Sequence, residues 1–174
     1  MNVVTREDED LLLDLLNTAP VVDGEQTDEL ADPDAGRAWV EAHGGAGGAD
    51  EVATLRATRD AIQEVVRGAP AVTLAASIER ITLRPSWRDG ALAWELQTPL
   101  HERLSARALL AWATIDERSP GRLRPCENPE CHRFLHDRSN ANTARWCSMA
   151  LCGNRFKARR HYERTRTRTR TGER

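Results

Sequence analysis

Residues 126–155 read CENPECHRFLHDRSNANTARWCSMALCGNR and contain every cysteine of the chain: Cys126, Cys131, Cys147 and Cys152. The spacing is C-x4-C-x15-C-x4-C, two close pairs joined by a long loop. Zinc prefers four tetrahedral ligands, and thiolates supplied as two pairs meet that demand. Pro129 favours a turn in the first spacer, and Gly153 is expected to take the backbone conformation that leaves the second. The pattern predicts a Zn2+ site held by these four cysteines. Core thiols and a four-thiolate iron-sulfur cluster are the alternatives, and His132 or His136 could stand in for one cysteine. Four thiolates leave no open coordination position, so the predicted role of the metal is structural. It would fold the 27 residues from Cys126 to Cys152, which are too few for a core of their own. Phe134, Trp146 and Phe156 are expected as a small apolar cluster beside it, although Trp146 and Phe156 could instead stack on bases.

Beyond the last cysteine, Asn154 is a good helix cap and RFKARRHYER can form a helix. Arg155, Arg159 and Tyr162 share one face of that helix, and Lys157, Arg160 and Arg164 populate another. Glu163 is its one internal counter-charge, which favours phosphate contact over a merely solvated face. The following TRTRTRT, residues 165–171, has no apolar face and is expected to be disordered.

This basic end stands against an acidic remainder. Residues 1–117 carry 10 Lys/Arg and 22 Asp/Glu, whereas residues 118–174 carry 15 and 5, so a formal net charge of -2 conceals two oppositely charged halves. Such asymmetry points to two parts with different partners, the basic one suited to a polyanion. The competing reading is attraction between the halves.

Upstream, the periodicity is mostly helical. Thr5 with Asp8 and Glu9 offers a cap for a helix over 6–16; Asp32-Pro33 opens a second, which carries Trp39 and Val40 and ends at Gly44-Gly45. GGAGGAD reads as a flexible connector, with Asp50 as cap of a third helix on which Val52, Leu55, Arg59, Ile62 and Val66 recur at helical spacing. Residues 71–80 could add a short helix. ITLRPSWRDGALAWEL then switches to alternation around Arg-Asp-Gly, a β-hairpin signal. Thr98-Pro99 opens a last helix, broken by Ser119-Pro120-Gly121. Trp39, Trp94 and Trp112 are read as core. His43 and His101 are isolated, and there is no phosphate-cradling glycine loop, HExxH or nucleophile elbow. These features predict a protein that is not an enzyme. No apolar run approaches the roughly 18 residues of a membrane span, and MNVVTREDED is unlike a secretory signal, so no membrane partner and a cytoplasmic location are expected.

CENPEC followed by DRSNANTARWCSMALCGNR resembles the CGNR zinc-finger family of bacterial proteins, whose Cys-Gly-Asn-Arg stands here at residues 152–155. The likeness extends to Asp137, Ser139, Arg145, Trp146, Ser148 and Met149. The N-terminal half is similar to the ABATE domain that usually precedes this finger, through DLLNT at 14–18, DEL at 28–30 and the Trp39 helix. The resemblance implies a stress-linked transcriptional regulator whose finger binds DNA and whose N-terminal domain senses or dimerises.

The fold class expected is therefore α+β: a predominantly α-helical N-terminal domain (1–118) with a short β-hairpin, then a treble-clef-like or knuckle-type zinc finger with a basic helix (119–164) and a tail (165–174). Arg145, Arg155, Lys157, Arg159 and Arg160 are the expected nucleic-acid contacts, since Arg can read guanine edges bidentately. The rival reading is a ligand-sensing or protein-interaction module with the finger as docking surface, or an RNA binder. In that case Asp14, Asn17 and Thr18 are candidates for a small-molecule effector, their alternative use being helix termination. A homodimer is compatible with either reading.

Overall fold

The computed structural model describes residues 3–22, 25–88 and 90–158. Five α-helices precede residue 119: α1 (Arg6–Leu16), α2 (Pro33–Ala42), α3 (Ala49–Val66), the one-turn α4 (Ala75–Ile78) and α5 (Arg103–Arg118); a further helical stretch covers 154–158. Three antiparallel strand pairs complete the fold: β1 (Val21–Val22) with β2 (Glu25–Gln26), β3 (Leu83–Arg88) with β4 (Ala91–Leu96), and β5 (Leu123–Pro125) with β6 (Phe134–His136).

The first helix starts as the sequence suggests. Thr5 Oγ1 accepts from the Asp8 N–H and the Asp8 carboxylate accepts from the Thr5 N–H, a reciprocal capping box. Leu11, Leu12, Leu15 and Leu16 form its buried stripe, set against α5 and α3. Across that contact Arg107 of α5 donates to Asp8 at 2.6 Å.

On α3 the spacing places Arg59 on the apolar stripe, and it is indeed buried there, its side chain 3% exposed. An uncompensated guanidinium in such a place costs several kcal/mol, on the order of 3–5. Here the charge is matched: Arg59 bonds both carboxylate oxygens of Asp28 at 2.5 and 2.9 Å, the Thr18 hydroxyl at 3.0 Å and Asp60. Arg59 also holds the Asp28 carboxyl below the usual carboxylate range. One turn on, Gln63 donates to the Leu16 carbonyl at 2.8 Å.

Several local expectations need correction. Asp50 does not cap α3: the N-cap is Gly48, and Glu51, 2% exposed, reaches back to the Ala46 and Gly47 N–H groups. The glycines before it form a tight turn, because a Cβ at Gly45 would lie 2.4 Å from Val40 Cγ1 and 2.5 Å from Glu51 Oε1. Thr98-Pro99 leads into a 3-10 turn (Leu100–Glu102) before α5 begins. The expected hairpin is present, with Pro85 opposite Trp94; in a two-stranded ribbon a missing N–H is tolerated on the outer edge. Its alternation is complete, placing Leu83, Pro85, Trp87, Leu92, Trp94 and Leu96 on one face. On the other face, Arg84 and Arg88 pair with Glu95 and hold its carboxyl down to about 2. Trp39 and Trp112 lie in the core, whereas Trp94 is half-buried.

Candidate metal centre and its attachment

β5 delivers the chain to Cys126, whose N–H donates to the Arg133 carbonyl at 2.8 Å, while the Cys131 N–H donates to the Asn128 carbonyl at 2.8 Å. Residues 126–131 are thereby folded into a knuckle between β5 and β6. The second pair sits on a helical start. Ser148 is its N-cap, accepting from the Ala150 and Leu151 N–H groups, and a wide π-helical turn, Met149–Gly153, carries Cys152 inward. Asn154 is thus not the cap, because the helix has already begun at Ser148 and runs on through 154–158. Gly153 does not take a left-handed backbone; a Cβ there would meet the end of the flexible Met149 side chain, 2.6 Å from its Sδ.

All four Sγ atoms lie within 4.8 Å of one another, with Cys131–Cys147 and Cys147–Cys152 at 3.7 Å. A tetrahedron with zinc-sulfur bonds of about 2.3 Å has edges of about 3.8 Å, whereas a disulfide needs sulfurs about 2 Å apart. The donor set therefore fits a zinc ion. Burial pushes the Cys131 thiol up to about 11, and burial with neighbouring thiols pushes Cys147 higher still. Thiols packed this closely ionise together when a cation is there to offset their charge. The sulfurs are also supported from outside, by Asn128 Nδ2 on Cys152 Sγ at 3.5 Å and the Cys147 N–H on Cys126 Sγ at 3.4 Å. Asn128 was not among the expected site residues, although an Asn before Pro129 in the knuckle is a turn-forming signal. His132 and His136 do not belong to the cluster among the described residues.

Asp137 organises the loop between the pairs. It is 2% exposed and accepts from the Ser139 N–H and hydroxyl, the Ala144 N–H and Arg124. The Ser139 hydroxyl, first among these, holds the Asp137 carboxyl down to about 2. Arg124 also donates to the Ala144 carbonyl, and Arg122 to the carbonyls of Asp137 and Ser139. Two of the basic residues near the finger are thus consumed in shaping it.

The module borrows the core of the helical body. Phe134 is 1% exposed and belongs to the main hydrophobic cluster, not to an aromatic group beside the cysteines. That group comprises Trp146 and Phe156, with ring centroids 4.6 Å apart. Phe134 is fixed by Asn17, whose Oδ1 accepts from the Phe134 N–H at 2.8 Å and whose Nδ2 donates to its carbonyl at 3.3 Å. The attraction between the oppositely charged halves is visible as well: Arg138 reaches Glu9 and Asp10 of α1 at 3.1 and 2.7 Å.

The expected ligand residues diverge. Asp14 is exposed, 3.7 Å from His43 Nε2; Asn17 is the clasp on Phe134; Thr18, 1% exposed, donates to the Leu15 carbonyl and accepts from Arg59. Of the expected nucleic-acid contacts, Arg145 pairs with Glu127 at 2.5 Å and lies 5.3 Å from the Trp146 ring. Arg155 and Lys157 are exposed and form no ion pair among the described residues. Arg159, Arg160, Tyr162, Glu163, Arg164 and the Arg-Thr tail lie outside the described residues.

Two family models match the chain. One, the CGNR zinc finger, covers residues 122–165; the other, ABATE, described as "Putative stress-induced transcription regulator", covers residues 9–118. No curated protein matches it.

Proposed function

Given that the chain belongs to the ABATE family and carries a CGNR zinc finger, we propose that it is a DNA-binding transcription regulator without enzymatic activity. Cys126, Cys131, Cys147 and Cys152 would hold the zinc ion, which supplies folding free energy to a segment without its own core. The observation that carries the reading is the placement of Arg155 and Lys157. Both project from the helical turn that leaves Cys152, exposed and without acidic partners among the described residues, while the other described arginines of the finger region that have partners shape or dock the module. The chain continues from there into Arg159, Arg160 and the Arg-Thr run. A rigid platform presenting a basic helix suits phosphate contact first and base reading second. The body would present the finger and sense or dimerise. Among the described residues no helix is long and apolar enough to cross a membrane.

The test is selection from random duplex DNA by the zinc-loaded protein at near-physiological salt, beside a variant with all four cysteines changed to Ser. An enriched motif that disappears with the metal site is the expected result. Salt-labile binding without enrichment, or preference for single-stranded RNA, would overturn it.

A further inference from the structure

The β3–β4 ribbon ends in a strand edge that nothing covers. No helix among the described residues is packed along either strand, and a two-stranded ribbon on its own is marginal in water, where a third strand or a helix is the usual remedy. The Gln97 N–H donates to the Thr82 carbonyl at 2.8 Å, so these two residues form a hydrogen-bonded pair, and outward-facing positions alternate with inward-bonded ones from there. Leu83, Pro85 and Trp87 of β3 and Leu92, Trp94 and Leu96 of β4 therefore turn their backbone groups away from the ribbon. Those of Leu92, Trp94 and Leu96 meet no partner among the described residues.

The two edges differ in what they can accept. Pro85 has no N–H to offer, which closes the β3 edge to an added strand. The β4 edge has no proline, and Leu92 stands on it 58% exposed, beside Trp87 at 74%. An open apolar edge of this kind is a template for another strand. A nucleic acid finds no cation on the apolar face, since Arg84 and Arg88 lie on the other one and are paired with Glu95. The sequence of β4 suits a second β4 instead. Run antiparallel about a two-fold axis at Trp94, it sets Leu92 opposite Leu96 of the other copy and Trp94 opposite Trp94, which pairs every outward backbone group of the strand and stacks apolar side chains on one face. Glu95 then faces Ala93, whereas an axis one residue further on would oppose two Glu95 carboxylates. We infer that the chain forms a two-fold homodimer through β4, joining two ribbons into one four-stranded antiparallel sheet.

This deepens the regulator reading and rests on it for its purpose: a two-fold dimer presents two fingers to duplex half-sites of inverted sequence. The experiment leaves DNA out, so that failure of the dimer and failure of DNA binding are read separately. Sedimentation equilibrium of the full, zinc-loaded chain over a micromolar concentration series should show the mass rising from 19.5 kDa to twice that value. Leu92→Pro removes only an outward N–H, as Pro85 does on β3, and Leu92→Lys places a charge on the edge. Each should raise the dimer dissociation constant about tenfold or more, with wild-type zinc content and helical circular dichroism. A chain that stays at monomer mass throughout, assembly that runs on beyond two copies, or a wild-type dissociation constant in both variants would overturn the proposal.

Discussion

Replacing Asn17 with Ala should uncouple the finger from the body without touching the metal. The amide makes two bonds to the backbone of Phe134, at 2.8 and 3.3 Å, and Phe134 is 1% exposed, so water cannot replace the lost partner. An unpaired buried N–H costs about 1–3 kcal/mol, and the longer bond adds less than a typical net hydrogen bond of about 1 kcal/mol, giving about 1–4 kcal/mol in all. For a chain of this size 1 kcal/mol moves the melting midpoint by about 2–4 °C, so the variant should melt roughly 2–16 °C lower. Zinc content should stay at wild-type level, because no ligand has changed. The assay is a thermal melt paired with amide hydrogen exchange, in which protection of the Phe134 N–H should fall more than that of Leu55 in α3. A midpoint within about 1 °C of wild type, or unchanged protection at Phe134, would refute the idea that this amide holds the two parts together.

Other outcomes follow from the same geometry. Cys147→Ser should lose zinc, measured as metal per chain, while circular dichroism still reports the helices of residues 1–118. Asp28→Ala removes the bidentate partner of Arg59, leaving it Asp60 and Thr18, and should destabilise by about 1–3 kcal/mol in denaturant titration. The Asp28 carboxyl is depressed in the folded protein, so its contribution is complete above the ordinary value of about 3.9 and is lost as the pH falls below that through the folded value. The wild type should therefore lose more stability than Asp28→Ala on acidification. If Arg155 and Lys157 both contact phosphate, changing both to Ala should lower the salt slope of duplex binding by about 1.8; an unchanged slope places the contacts elsewhere.

What could be read from the sequence was whatever depends on near neighbours. The cysteine spacing foretold the four-thiol cluster because cysteines in close pairs need only a turn to converge, and alternation about Arg88 and Gly90 was enough for the hairpin. Spacing also put Arg59 on a buried stripe, but not its match, since Asp28 comes from a different segment. Phe134 was misplaced for a related reason: proximity in sequence to Cys131 suggested a cluster beside the metal, whereas burial in the larger core removes more apolar surface from water. Asn17 ends α1, as its place in the sequence suggests, but its side-chain partner is 117 positions away and could not be read there. The hydroxyls of Thr98 and Ser105, buried without a hydrogen-bond partner among the described residues, leave no trace in periodicity at all.

The Asn17–Phe134 clasp also orders events during synthesis. The helical body can gather around its leucines as it leaves the ribosome, yet the place in its core that Phe134 fills stays open until residue 134 emerges. Complete knuckle closure must wait longer, for Cys147 and Cys152. A nascent chain stalled between those points would present an unfinished apolar core, which makes the interval after α5 the stage at which it is most exposed to proteases and chaperones.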